Sequence, residues 1–372
     1  MLREAMSLAG VPTRPRARWT IRARRRLATA RRLVKRWGPF LIGAVMFGFA
    51  VWVLHRTASR FHIEQLGDEL EKFSTSQLLL AVFFTACSFC ALIGYEYSAL
   101  GLIGRRLPLR QLALASYVTQ SISHSTGFAF FIGATLRYQF YSPLGFTVAD
   151  VAKVQLYFTL TFALGVTTLA GAVVMFVPDH LASFTGTPPW LWRIAAVVAL
   201  ILVAAYIAWG AFFHRSFHLK GYELTFPRAT ATLEQIFFGV ADLIAVAAAL
   251  YVLLPAGLHL SYLETLAIFM ASIVVGLLSH VPGSLGVFES AVLLLVQPAD
   301  DQVLPLIGSL LAFRATYYLL PLVCGVALLT VTEFGRWRDM ARHALTVSRE
   351  ARSGGSGVST LGPRPPIKNS RP

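Results

Sequence analysis

Read for hydrophobic and polar positions, the chain resolves into long apolar runs joined by short polar loops. Six runs come close to the roughly 20 residues of helix that cross bilayer hydrocarbon: residues 39–54, 77–100, 154–177, 191–213, 236–254 and 304–331. Two other apolar segments, 111–135 and 264–297, do not read as ordinary spans. The first carries Ser121, Ser123, His124, Ser125, Thr126 and Gly127 at its middle, a poor composition for a lipid-facing helix. The second is 34 residues, too long for one crossing and too short for two with a turn. Similar interruptions divide them: Ser123-His124-Ser125-Thr126-Gly127 and Ser279-His280-Val281-Pro282-Gly283. Cut there, the second segment yields two arms of roughly 15 residues, each about 22 Å long. A broken membrane helix frees N–H and C=O groups that hydrocarbon cannot satisfy, so the break must be buried in protein or face water. Breaks at corresponding places in two halves of a chain point to a transport site.

Charge placement gives these segments a direction. Residues 1–36 hold twelve Lys and Arg against Glu4, and residues 332–372 hold eight against Glu333, Asp339 and Glu350. Of the net charge of +15, residues 37–331 then contribute −1. The basicity therefore sits in tails flanking the first and last runs, which predicts that both termini are cytoplasmic. Arg105, Arg106 and Arg110 precede segment 111–135, and Arg137 and Lys153 follow it, so both its ends are expected inside. Segment 264–297 has no Lys or Arg at its flanks and is followed by Asp300 and Asp301, so both its ends are expected outside. The loop 178–190 lacks Lys and Arg and reads as external; the loop 214–230, with Arg215, Lys220 and Arg228, reads as internal.

The expected fold is an all-α polytopic membrane protein with six full spans and two oppositely inserted re-entrant hairpins. Halves 77–177 and 236–331 repeat the order span, hairpin, span in inverted orientation, a common transporter plan. A rival reading in which both ambiguous segments cross once puts the basic loop 214–230 outside, against the charge rule. The chain divides into a basic segment 1–36, a membrane domain 37–335, and a basic, Gly/Pro-rich tail 336–372 expected to be disordered.

Composition narrows the function classes. Hydrophobic residues are 56% and charged residues 14%, which excludes a soluble domain. A nucleic-acid partner is not expected, because the positive charge is confined to the tails. The run from Arg14 to Arg36 is a candidate contact for anionic headgroups, at about 1 kcal/mol per basic residue near the surface, although a topology anchor explains it without a partner. The first apolar run is too long for a cleaved signal peptide. Cys87, Cys90 and Cys324 make no disulfide framework, and the Cys87–Cys90 pair lies inside an apolar run, where packing is the expected role. No phosphate-binding loop, HExxH or GxSxG is present, so an ATP-driven pump is disfavoured and no catalytic group, cofactor or metal is expected.

Ionisable groups at membrane depth cost at least about 2.5 kcal/mol and call for a partner or a wet cavity. The candidates are Glu289, Arg314 and Asp242, with Arg137, Glu96 and Lys153 nearer the interface. Glu289 lies six residues after Gly283, near the tip of the second hairpin. Arg314 lies ten residues into the last run, about 15 Å deep, so the two can meet at the midplane. Asp242 is expected about one and a half turns into its run. One reading of Glu289 and Arg314 is a salt bridge that only fixes packing. In the functional reading Arg faces a lipid phosphate, for which its planar fork is suited, and an acid faces a cationic headgroup. Both hold if substrate breaks the pair. His124 and His280 are expected to bond freed backbone groups, with a proton relay as the alternative. Pro282 stops a helix, while Gly283 and Gly286 permit tight turns. The freed amides of the following helix are a candidate anion site.

The segment Ser279-His280-Val281-Pro282-Gly283-Ser284-Leu285-Gly286-Val287-Phe288-Glu289 resembles the membrane region of the bifunctional lysylphosphatidylglycerol flippase/synthetase family and related stand-alone flippase-like proteins. That family's signature is approximately Pro-x-Gly-Gly-Leu-Gly-x-x-Glu; Ser284 stands here where a second Gly is usual. Arg137 and the run containing Asp242 are similar in placement, and the resemblance covers roughly residues 37–335. It implies movement of an aminoacylated phospholipid, such as lysylphosphatidylglycerol, between leaflets of the bacterial inner membrane, which alters surface charge and resists cationic antimicrobial peptides. Full-length relatives add a cytosolic aminoacyl-transferase domain after the membrane region, and the short basic tail here does not match one. A transporter rather than an enzyme is therefore expected, with a phospholipid or a polyprenyl-phosphate-linked glycan as cargo. The alternatives are a membrane subunit serving a separate aminoacyl- or glycosyltransferase, and a structural scaffold. A second copy of the chain is a further candidate partner.

Overall fold

The structure, a computed structural model, describes residues 71–332 apart from 126–128, 179–181, 183–184, 213–215, 220–221, 226 and 280. The expected basic segment 1–36, the span 39–54, the tail 336–372, Gly127 and His280 lie outside the described residues.

Side-chain caps set several helix boundaries. Ser74 and Gln77 form a reciprocal capping box that opens α1 (Thr75–Leu102). The amides of Ile103, Gly104 and Arg105 fold back onto the carbonyls of Leu100 and Gly101, with Gly104 at φ 70°, and this closes the helix. Two shorter helices follow, α2 (Leu109–His124) and α3 (Ala129–Tyr141). Thr147 and Asp150 box the start of α4 (Val148–Phe176). After α5 (Pro189–Phe212) comes an antiparallel pair, β1 (Ser216–Leu219) and β2 (Tyr222–Thr225), with Ser216 opposite Thr225. The chain then forms α6 (Ala229–Tyr251), α7 (Tyr262–Ser279), α8 (Val287–Val296) and α9 (Asp300–Phe313). A π-helical segment, Arg314–Leu319, continues α9, and helix persists to Thr332.

Among the described residues six helices are long and apolar enough to cross a membrane: α1, α4, α5, α6, α7 and the run Asp300–Thr332. Five coincide with expected spans. The sixth is α7, which was expected to be a half-length arm. Its start is fixed by Ser261, whose amide and hydroxyl bond the Glu264 carboxylate at 2.8 and 2.7 Å. From there it runs 18 residues, about 27 Å. Its partner arm α8 has only 10 residues. The arms are thus unequal, while the break between them falls where the Pro and Gly residues put it. Both broken segments have the form helix, break, helix, with α2 packed on α3 and α7 packed on α8. Among the described residues the only strands are β1 and β2, in the polar loop between α5 and α6.

The helices pack through small residues and buried polar groups, as expected where lipid is as apolar as the protein. α1 runs antiparallel to α6: Gln77 Nε2 reaches the Val252 carbonyl at 3.5 Å, and Ser88 meets Asp242 farther along. α4 touches α6 at Gly165 and Gly239, where a Cβ on Gly165 would come within 2.6 Å of the Gly239 backbone. Tyr95, Leu243, Leu250, Phe269 and Phe313 form the almost fully buried centre. By contrast α5 buries only Ala196, Val203 and Gly210, and turns Ile194, Leu202 and Trp209 outward.

Candidate functional site

At the second break, three of the four residues 283–286 adopt backbone conformations available mainly to Gly. Gly283 has φ 61°, Ser284 51° and Gly286 77°. Ser284, the departure from the resembled signature, sits where an L side chain costs about 1–2 kcal/mol. Gly276 leaves room for it, since a Cβ there would come within 2.8 Å of the Ser284 hydroxyl. Ser279 bonds the Gly276 carbonyl at 2.7 Å and accepts from the Val281 amide at 3.2 Å, which caps the end of α7.

Arg314 joins this break to the last helix. Its Nε donates to Glu289 Oε1 at 2.6 Å, Nη1 to the Gly283 carbonyl at 2.7 Å and Nη2 to the Ser284 carbonyl at 3.2 Å. The guanidinium lies over Tyr318 at 4.6 Å and Phe288 at 5.6 Å. Glu289 uses its other oxygen to accept the Gly286 amide at 2.9 Å. The carbonyls freed by the break thus find a cation, and the amide of Gly286, which caps α8, finds an acid. The side chains of Arg314 and Glu289 keep 10% and 18% exposure, so Arg314 is nearly buried and Glu289 is the more open of the two.

A second ion pair joins α3 to α1, and it is closed. Arg137 on α3 donates from Nε to both oxygens of Glu96 on α1, at 2.8 and 3.0 Å, and from Nη2 to Oε2 at 2.6 Å. Nη1 bonds Gln155 of α4, the Tyr141 hydroxyl donates to Glu96 at 2.6 Å, and the guanidinium covers Phe158 at 4.4 Å. The side chains are 1% and 0% exposed.

Between the pairs lies Asp242, 3% exposed. Ser88 donates to Oδ1 at 2.5 Å and Tyr95 to Oδ2 at 3.0 Å, with the Tyr317 hydroxyl 3.2 Å from Ser88. Among the described residues no cation pairs with it. It stands 13 residues into the 23-residue α6, close to the middle and deeper than expected, because the helix begins at Ala229 rather than at the apolar run. His124, at the end of α2, packs in an aromatic group with Tyr317 and Phe89, at centroid distances of 6.4 and 6.5 Å.

The two breaks face each other. A Cβ built on Gly283 would lie 3.6 Å from the carbonyl oxygen of Ser125. Glu289, Arg314, Gly283, Gly286 and Ser279 therefore gather at one break, with Ser123 and His124 on the helix that ends at the other. Arg137 joins Glu96 to one side. Pro282 opens the turn Pro282–Ser284. The neighbours that sequence reasoning missed are Glu96 as a partner, Tyr141, Gln155, and the hydroxyls of Ser88, Tyr95 and Tyr317. Beside α8, α4, α7 and α8 enclose a cavity of about 640 Å³, edged by Trp192 and reaching Gly286 and Ser290, with Val173, Met270 and Leu294 among its walls. No cluster of metal-ligating side chains occurs among the described residues.

Residues 37–325 match the family described as lysylphosphatidylglycerol synthase TM region. The chain belongs to that family. It is 28% identical over 294 residues to the uncharacterized protein slr0712 of Synechocystis, covering 79% of this chain and 91% of that one. It is 26% identical over 271 residues to the inner membrane protein YbhN of Escherichia coli, covering 72% and 83%. It is also 25% identical over 302 residues to a phosphatidylglycerol lysyltransferase of Staphylococcus haemolyticus, covering 80% of this chain and 34% of that protein. This family member is thus a multi-pass membrane protein that shares about a third of the length of the lysyltransferase.

Proposed function

We propose that this protein moves a phospholipid, with an aminoacylated phosphatidylglycerol as the leading candidate, between the leaflets of a bacterial inner membrane. The observation that carries the reading is the meeting of two broken helices at Ser125 and Gly283, with an Arg–Glu pair, partly exposed at Glu289, bound to one break. Such breaks bring oriented backbone dipoles and charges to membrane depth, where a headgroup must cross. In the proposed cycle the lipid phosphate competes with Glu289 for the Arg314 fork, and the released Glu289 faces an amino headgroup. Arg137 and Asp242 hold secondary roles toward the same lipid, and the apolar cavity beside α8 accommodates an acyl chain. We take α2–α3 and α7–α8 as hairpins inserted from opposite sides, with both termini cytoplasmic, on the strength of the loop charges. The basic N-terminal segment would rest on anionic headgroups, and self-association would be a property of the membrane domain.

The test is reconstitution of the full chain in vesicles carrying a headgroup-labelled phosphatidylglycerol, with an impermeant quencher reporting exchange between leaflets. Glu289→Gln and Arg314→Lys should slow exchange about ten- to a hundredfold, the loss expected for one or two charge-assisted contacts, while protein yield is kept. Wild-type exchange in both variants rejects the reading.

A second reading is favoured by the relatives named phosphatidylglycerol lysyltransferase, of which the chain matches about a third. In it the chain is the membrane subunit of a lipid-modifying enzyme whose catalytic protein is separate, and its own activity is not enzymatic. Co-purification of a soluble aminoacyl- or glycosyltransferase with the full chain favours it.

A further inference from the structure

A second polar cavity lies away from the breaks, at the opposite end of the α1–α6 pair from Gln77. It encloses about 330 Å³, between the end of α1, the following loop, and the start of α6. Arg105, Arg106 and Arg228 line it, with Glu234 as the one acid. None of these three arginines forms an ion pair among the described residues. Arg105 rests over the Phe146 ring at 5.2 Å and lies within electrostatic reach of Asp150, so Arg106 and Arg228 carry most of the free charge here.

Two features make this more than a basic surface. Ser98 lines the cavity, is 4% exposed, and its Oγ has no hydrogen-bond partner among the described residues. A buried hydroxyl without a partner costs about 1–3 kcal/mol, so an occupant that bonds it is favoured. The helix ends at the cavity are also unequal. The last carbonyls of α1 are bonded by the amides of Ile103, Gly104 and Arg105. The first turn of α6, whose Thr230 and Ala231 line the cavity, has only Arg228 at its cap and no side-chain cap bond. Open amides at the positive end of a helix, three arginines and a hydroxyl donor all favour an anion.

We propose that this cavity binds a phosphate group, supplied by the headgroup of an anionic phospholipid at the membrane face where the basic loops lie. Arg106 and Arg228 hold the phosphate at the mouth, and Ser98 and the α6 amides reach it from the floor. A cavity of this size takes a single headgroup, and basic pockets between membrane helices are suited to one. The site is separate from the breaks and does not depend on the transport reading.

Native mass spectrometry of the delipidated full chain, given equal phosphatidylglycerol and phosphatidylethanolamine, tests the assignment. The wild type should keep one phosphatidylglycerol preferentially. Arg106→Gln combined with Arg228→Gln should lower that retention about tenfold. Ser98→Val fills the floor without altering charge and should lower it as well, without lowering the unfolding temperature. Inorganic phosphate separates the two sources. If it displaces the lipid and raises the unfolding temperature of the wild type but not of the double variant, the pocket takes free phosphate; if it does neither, the ligand is the lipid. Equal retention of the two lipids, or undiminished phosphatidylglycerol in the double variant, overturns the proposal. Should Ser98→Val fail to accumulate, the double variant alone decides, since both arginines are exposed.

Discussion

Arg137 and Arg314 have the same donors, and their surroundings direct them differently. Arg137 is closed between Glu96, Gln155 and Phe158, whereas Arg314 shares its fork between one carboxylate and two break carbonyls. Glu96→Gln should therefore destabilise the fold by about 3–5 kcal/mol, because it leaves a buried cation uncompensated. Replacing Glu96 and Arg137 together by Gln and Met should recover part of that loss, as thermal unfolding in detergent would report. The meeting of Glu289 and Arg314 was legible in the sequence, since both positions count to mid-depth. The pairing of Glu96 with Arg137 was not, because it depends on how α1 and α3 pack. The surroundings of Asp242 were hidden for a similar reason: its hydroxyl neighbours come from α1 and from the segment after α9.

At the scale of elements, the breaks were the most readable feature, because Pro282, Gly283 and Gly286 carry a local conformational signal. Helix boundaries were less so. The first turns of α6 and α9 extend beyond the apolar runs, with Asp300 and Asp301 at the positive end of α9. The β1–β2 pair fell in a loop read only for charge. Contacts between helices depend on missing side chains as much as on present ones. Gly239→Val should prevent α4 and α6 from closing, since its Cβ alone would lie within 2.8 Å of Gly165 and the Thr161 carbonyl. The expected outcome is loss of a monodisperse peak in size-exclusion chromatography, whereas Val198→Ala on the outward side of α5 should leave it unchanged.

For the molecule as a whole, each broken pair lies between two long apolar helices among the described residues, and the two breaks converge. The sequence could place the two breaks, but not their convergence, which arises from packing of all the helices between. If transport requires the breaks to part, holding them together should stop it without unfolding the protein. With Cys87, Cys90 and Cys324 replaced by Ala, Ser125→Cys and Gly283→Cys should form a disulfide under mild oxidant. The Cys at position 283 adds about 1–2 kcal/mol of backbone strain. Leaflet exchange should cease on oxidation and return on reduction; unchanged exchange in the cross-linked protein would separate the breaks from transport.

The π-helical segment Arg314–Leu319 bears on how such a motion is linked along the chain. A π turn bonds i to i+5 and so holds one residue more than an α turn. Rewinding it would slip the register by one residue, turning what lies on either side by about 100° relative to the other. Arg314 at its start serves the second break, and Tyr317 within it serves the Ser88–Asp242 cluster. One slip would change the position of Tyr317 relative to Arg314, so the two clusters could not both keep their present contacts.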